Sequence, residues 1–139
     1  MSSNKLYSEI LDEFKTCRSD EERIAILRKY GDKNFRIFLQ LVFDPQVVFD
    51  APLPNTYRPA IEPAGLNFTY LSVEVPKLYR FIKNHPKRSS NLTAQKQTQL
   101  ITVILEALHK DEARLFVDMF QKDLKIKHLT ANLVERAYN

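Results

Sequence analysis

Six cations (Lys77, Arg80, Lys83, Lys87, Arg88 and Lys96) fall within a stretch that holds no Asp or Glu, with His85 among them. Such a run creates a local positive potential that attracts phosphates. A second basic cluster follows at Lys122, Lys125, Lys127 and His128, opposed only by Asp123. It ends at Thr130, whose hydroxyl is of the type that opens a helix. A helix starting there would add free backbone N–H groups and a positive dipole end, which suit a phosphate. The plainer reading gives the first run to a solvated helix end and loop. It gives Lys122, Lys125 and Lys127 to the complement of a helix C-terminus.

Other chemistry finds little support. His85, His109 and His128 stand far apart, with no HxxxH or HExxH spacing, so no metal site is expected and each reads as a surface or helix-end histidine. Cys17 is the one cysteine; it lies on an apolar stripe and reads as a small core residue. One cysteine excludes an intramolecular disulfide and fits a reducing compartment. With only 2 Gly the chain has no phosphate-cradling GxGxxG or GxxxxGK[ST] motif. The carboxylates of the first half fall mostly on the polar faces of helices. No enzyme activity and no cofactor are expected.

The elements that must carry these residues read as helices. Leu6, Ile10, Leu11, Phe14 and Cys17 form an apolar stripe over residues 4–17. Ser19, with Glu22 reaching back, opens a second helix through Ile24, Leu27 and Tyr30, and Gly31 fits its C-terminal cap. Asp32 starts a third, with Phe35, Phe38, Leu39 and Val42 on its apolar side, stopped at Asp44-Pro45. Residues 45–70 hold five of the 7 prolines, interspersed with Val47, Val48, Phe49, Leu53, Tyr57, Ile61, Leu66, Phe68 and Tyr70. Proline removes a backbone donor, so this is a long loop pinned by hydrophobic anchors, with room for short extended pairings.

Helicity resumes with Ser72 as N-cap and stops at Asn84-His85-Pro86. Thr93 caps a strong helix through Leu108. Asp111 caps another, carrying Leu115, Phe116, Met119 and Phe120, and a short one follows Thr130. The expected fold is all-α: a compact bundle of about six or seven helices in a single domain over 1–139, with an ordered Pro-rich loop between the third and fourth.

The 139 residues carry a net charge of +4, distributed as −1 over residues 1–70 and +5 over 71–139. No secretory signal is visible at MSSNKLYSEI, and no apolar run approaches the roughly 18 residues of a membrane span. A soluble, cytoplasmic protein without membrane contact is expected.

Residues 92–134 carry Leu92-Thr93, then Lys110-Asp111-Glu112, Phe116 and Met119-Phe120, then Lys122-Asp123-Leu124-Lys125 and Leu129-Thr130-Ala131-Asn132. Ser19–Leu27 and the Asn34 to Pro45 stretch add to this pattern. Over about 100 residues the chain resembles the N-terminal, all-helical DNA-binding domain of phage-type ATP-dependent DNA ligases. The Gly of that family's signature is missing: Ile126-Lys127-His128 occupy the stretch. No KxDG nucleophile motif is present, so the resemblance does not extend to ligation. It implies a free-standing relative from a tailed phage, acting in the host cytoplasm. Carried over by position, Lys122, Lys125, Lys127 and Thr130 would lie near duplex phosphates, with Asn132 beside them.

Two functions follow. The first is non-catalytic binding to duplex DNA, nicked DNA included, with little sequence specificity, in phage replication, repair or genome handling. Its contacts would be Arg80, Lys83, Lys87, Arg88, Lys96, Lys122, Lys125, Lys127, His128 and Thr130. The second is a protein-interaction module, a host-takeover adaptor or virion component, with loop 45–70 as its contact.

Overall fold

The computed structural model describes residues 5–139, so the expected helix start at Asn4 and the residues Met1–Asn4 lie outside it. Seven α-helices are formed among the described residues: α1 (Tyr7–Lys15), α2 (Asp20–Lys29), α3 (Lys33–Phe43), α4 (Leu71–Glu74), α5 (Ala94–Ala107), α6 (Lys110–Phe120) and α7 (Ala131–Tyr138). The architecture is the expected all-α bundle, with the long loop between α3 and α4. A 3-10 segment, Val75–Phe81, continues α4 and takes Pro76 in its first turn, where a missing N–H costs nothing.

The caps explain the boundaries. Ser19 Oγ accepts from Glu22 N–H at 3.2 Å, while the Glu22 carboxylate reaches one residue past Ser19, to Arg18 N–H. Asp32, Thr93 and Thr130 accept from Phe35, Lys96 and Leu133 N–H, as their residue types suggest. Two starts differ from expectation. Tyr70, not Ser72, precedes α4, because Leu71 is fully buried and draws the helix two residues earlier. His109, not Asp111, caps α6: its Nδ1 accepts from Asp111 N–H, leaving both Asp111 and Glu112 in the first turn.

Helix α6 is the hub. It packs against α1, α3 and α5, and seven of its 11 residues are buried. Among them is Glu112, only 1% exposed. Its carboxylate accepts from Tyr7 N–H at 3.2 Å and Ser8 N–H at 2.6 Å, so α6 caps the start of α1 from across the core. Burial pushes this carboxyl above its ordinary range, against the opposing pull of the Ser8 and Tyr7 amides. Tyr7 in turn packs edge-on against Phe35, centroids 5.0 Å apart, and Phe116, Phe120 and Phe49 form a second stacked series.

Helix α7 closes the bundle on α2. Arg28 Nε donates to the Ala137 carbonyl at 2.8 Å, and the Tyr138 hydroxyl donates to the Leu27 carbonyl at 2.7 Å. Gly31 serves this contact rather than a left-handed cap. A Cβ there would lie 2.7 Å from both the Leu27 carbonyl oxygen and a Tyr138 ring carbon.

The first half of the Pro-rich loop is anchored as expected: Val47, Phe49, Ala51, Leu53 and Tyr57 pack on the core. An isolated antiparallel bridge joins Phe49 to Ile82. The second half departs from the expectation. Ile61, Leu66 and Phe68 are 92%, 70% and 85% exposed, and Val48 also faces outward. This part is held through polar links instead, with Arg58 N–H donating to Glu106 Oε2 and Thr69 N–H to the Ala107 carbonyl.

Candidate functional site

The two basic clusters have different fates. In the first, Arg88 is not unopposed: its guanidinium pairs with Asp50 and donates to the Ile82 carbonyl, fastening the chain after the 3-10 segment to the Pro-rich loop. Arg80 is half-buried over the Phe81 ring and donates to the Lys77 carbonyl. Lys83, Lys87 and Lys96 are exposed, and their ammonium groups have no partner among the described residues. His85 is half-buried, with Nδ1 accepting from Lys87 N–H.

Lys122 turns inward. Its ammonium donates to the carbonyls of Leu41, Asp44 and Val47 at 2.7, 2.7 and 2.8 Å. All three donors serve the end of α3 and the start of the loop, where helix carbonyls lack partners. Burial lowers the ammonium's affinity for its proton. Lys122 is therefore a structural clasp and is removed from the phosphate contacts.

The rest of the second cluster is brought to a cleft that sequence spacing does not reveal. Lys125, Ile126, Lys127 and His128 line it with Phe14, Lys15 and Cys17 from the end of α1 and Arg23 of α2. The cleft encloses about 300 Å³. Five of the eight lining residues are basic in type, and none is acidic. Arg23 is fixed by Asp20 at 2.8 Å and by the Cys17 carbonyl at 3.4 Å. Lys15 and Lys125 pair at the rim with Asp12 at 3.6 Å and Asp118 at 3.5 Å. Lys127 is exposed and has no ion pair among the described residues. Cys17 is half-buried and donates to the Glu13 carbonyl, and burial pushes its thiol up, away from the thiolate.

The backbone that presents these cations is unusual. Lys122, Lys125 and His128 all take left-handed conformations, with φ of 61°, 58° and 72°. Each costs about 1–2 kcal/mol for a residue with a Cβ. The connection tolerates this because Leu124 and Leu129 are buried and the Lys125 N–H is held by Asp123 at 2.9 Å. Thr130 lies beyond the cleft lining, with its hydroxyl oxygen engaged by α7.

A neighbouring cleft of about 510 Å³ shares Lys15, Lys125 and Ile126 and continues along α6 past Arg114, though Asp12, Asp111 and Asp118 also line it. None of the four clefts described is lined by both basic clusters. The strap Val47–Asp50 lies between them, bonded to Lys122 on one side and to Lys83 and Arg88 on the other.

Residues 10–126 match a family of unknown function, DUF6433. The chain belongs to the DUF6433 family. No curated protein and no solved structure matches it. The DUF6433 match includes six of the eight cleft residues and ends at Ile126, just before Lys127 and His128. Among the described residues no helix is long and apolar enough to cross a membrane, and no group of three His, Cys, Asp or Glu is disposed to hold a metal ion.

Lys15 and Arg23 are the site residues that sequence reasoning missed. They lie in the half of net charge −1, among Asp12, Glu13, Asp20, Glu21 and Glu22, where their charge is cancelled along the chain. Each stays paired with one of these acids, and only the packing of residues 125–128 against the end of α1 brings them into one cleft with further cations.

Proposed function

We propose that the protein is a non-catalytic nucleic-acid-binding domain that contacts the phosphate backbone. The observation that carries this reading is the acid-free cleft in which Lys15, Arg23, Lys125, Lys127 and His128 converge. Lys83, Lys87 and Lys96 add exposed cations outside that cleft. Such contacts hold a backbone without reading bases. The resemblance of residues 92–134 to the ligase DNA-binding domain supports a duplex ligand. The left-handed backbone at Lys125 and His128 is one that glycine takes freely, and here cationic residues hold it under strain.

Fluorescence anisotropy against nicked, intact and single-stranded oligonucleotides at two salt concentrations tests the reading. Each phosphate contact adds about −0.9 to the log–log salt slope on duplex DNA. Four to eight contacts therefore give a slope of about −4 to −7. A flat salt response, or no binding at low salt, refutes it.

One observation favours a second reading, a protein-docking role for the loop: Ile61, Leu66 and Phe68 stand exposed on its outer half. Replacing these three by Ser leaves folding and oligonucleotide affinity unchanged under the first reading. Loss of a biological partnership in that variant, with DNA affinity intact, supports the second.

A further inference from the structure

We infer that the cleft between the end of α1, the start of α2 and residues 125–128 binds a phosphomonoester dianion, carried on a nucleic-acid strand end or on a free nucleotide. The inference rests on the backbone-contact reading only for the chemistry of its ligand.

Charge comes first. Lys15, Arg23, Lys125 and Lys127 are four full positive charges around one enclosure of about 300 Å³, and His128 adds a fifth basic group. Lys15 and Arg23 come from neighbouring helices, and Lys125 and Lys127 lie about a hundred residues further along the chain, so no single helix assembles them. Like charges so gathered repel one another unless something offsets them. The acids that do so, Asp12, Asp20 and Asp118, are not part of the cleft's lining. The ion pair of each rim lysine engages one of the three ammonium donors. The cleft thus keeps donors for an anion.

Shape chooses which anion. Phe14 and Ile126 supply apolar wall beside cations that face solvent. A phosphodiester carries one negative charge and must run through its site in both directions. A monoester carries about 1.5–2 charges at neutral pH and ends there. At the small end of the range of about 300–1,000 Å³ for small-ligand sites, the enclosure suits a terminal phosphate with its sugar better than a continuous strand. The strained turn is consistent with this. His128 and Lys125 are held left-handed at the cleft, and strain of this kind persists where the surroundings over-determine it.

The test uses the whole chain. Its probes are nicked duplexes with a phosphate or a hydroxyl at the nick, AMP against adenosine, and inorganic phosphate. Binding is read by anisotropy and by amide shifts in NMR. Two double variants are compared, Lys15→Ala/Lys127→Ala at the cleft and Lys87→Ala/Lys96→Ala outside it, each checked for folding by circular dichroism. The expected result is binding about tenfold tighter to the phosphorylated nick, the worth of one charge-assisted hydrogen bond. AMP, and not adenosine, should shift the amides of Cys17, Lys127 and His128. The cleft variant should lose this preference. The other variant should weaken all oligonucleotides alike and keep it. An AMP response without a nick preference assigns the cleft to free nucleotides. An AMP response without any oligonucleotide binding leaves the cleft assigned and removes the nucleic-acid function. Equal affinity for both nick ends with no AMP-dependent shift overturns the proposal. So does a preference that survives in the cleft variant.

Discussion

Replacing Glu112 examines how this bundle is held together. The carboxylate is buried in α6 and holds two first-turn amides of α1. Hydrogen bonds to a charged group contribute about 1.5–3 kcal/mol each, and an orphaned buried N–H costs about 1–3 kcal/mol. Glu112→Ala removes both acceptors and strands the Tyr7 N–H, so about 3 kcal/mol is expected. Glu112→Gln keeps one acceptor oxygen and the shape, and should cost about 1–2 kcal/mol. Against a total stability of about 5–15 kcal/mol, the Ala variant loses a large fraction. At roughly 3–4 °C per kcal/mol for this size, its Tm should fall by about 10 °C.

The pH dependence has a definite sign. Burial raises the folded-state pKa of Glu112, so the folded chain holds a proton that the unfolded chain has released. The stability from that proton is present below the ordinary carboxylate range and is lost as pH rises through the raised value. Gln has no such slope. The gap between the native chain and Glu112→Gln should therefore narrow as pH rises above the ordinary carboxylate range. Urea unfolding followed by circular dichroism at several pH values measures both effects. A Glu112→Ala variant within about 0.5 kcal/mol of the native chain, the usual size of a surface change, refutes the reasoning.

Lys122→Met should destabilise by about 2–4 kcal/mol, since three carbonyls lose one charged donor, and protease should cut loop 45–70 faster. At concentrations where it is folded, its oligonucleotide affinity should match that of the native chain; a clear loss would return Lys122 to the interface. Gly31→Ala should cost about 1–3 kcal/mol by driving Tyr138 from its seat, seen in near-ultraviolet circular dichroism and a lower Tm. His128→Gly should relieve left-handed strain and raise stability by about 0.5–1 kcal/mol while weakening AMP binding; stability that falls instead would show that the turn is not strained.

The helices were legible because their signals are local. Apolar spacing and the caps Ser19, Asp32, Thr93 and Thr130 lie within a few residues of what they determine. Where a distant contact decides, reading along the chain fails. Gly31 resembles a cap glycine, yet its role is set by Tyr138. Lys122 resembles its neighbours Lys125 and Lys127, yet the end of α3 turns it inward. The loop prolines announced an irregular segment, but not that Phe49 would stack on Phe120 while Phe68 stays exposed. The cleft was half visible: the cations at 125–128 stand out in sequence, whereas Lys15 and Arg23 are hidden by adjacent acids.

The clasp of α7 on α2 bears on how the chain is made. The bond between Arg28 and Ala137 and the capping of α1 by Glu112 span 109 and 105 or 104 residues. Contacts of such separation form only after long loops have closed, which slows folding. During synthesis α1 and α2 leave the ribosome long before α6 and α7, against which they also pack, exist. Isolated helices of nine or ten residues are marginal in water, so both segments wait as nascent coil. The bundle can close only when the last helix has cleared the exit tunnel. Ribosome-bound chains stalled before that point should remain protease-sensitive, and chains stalled beyond it should protect α1 and α7 together.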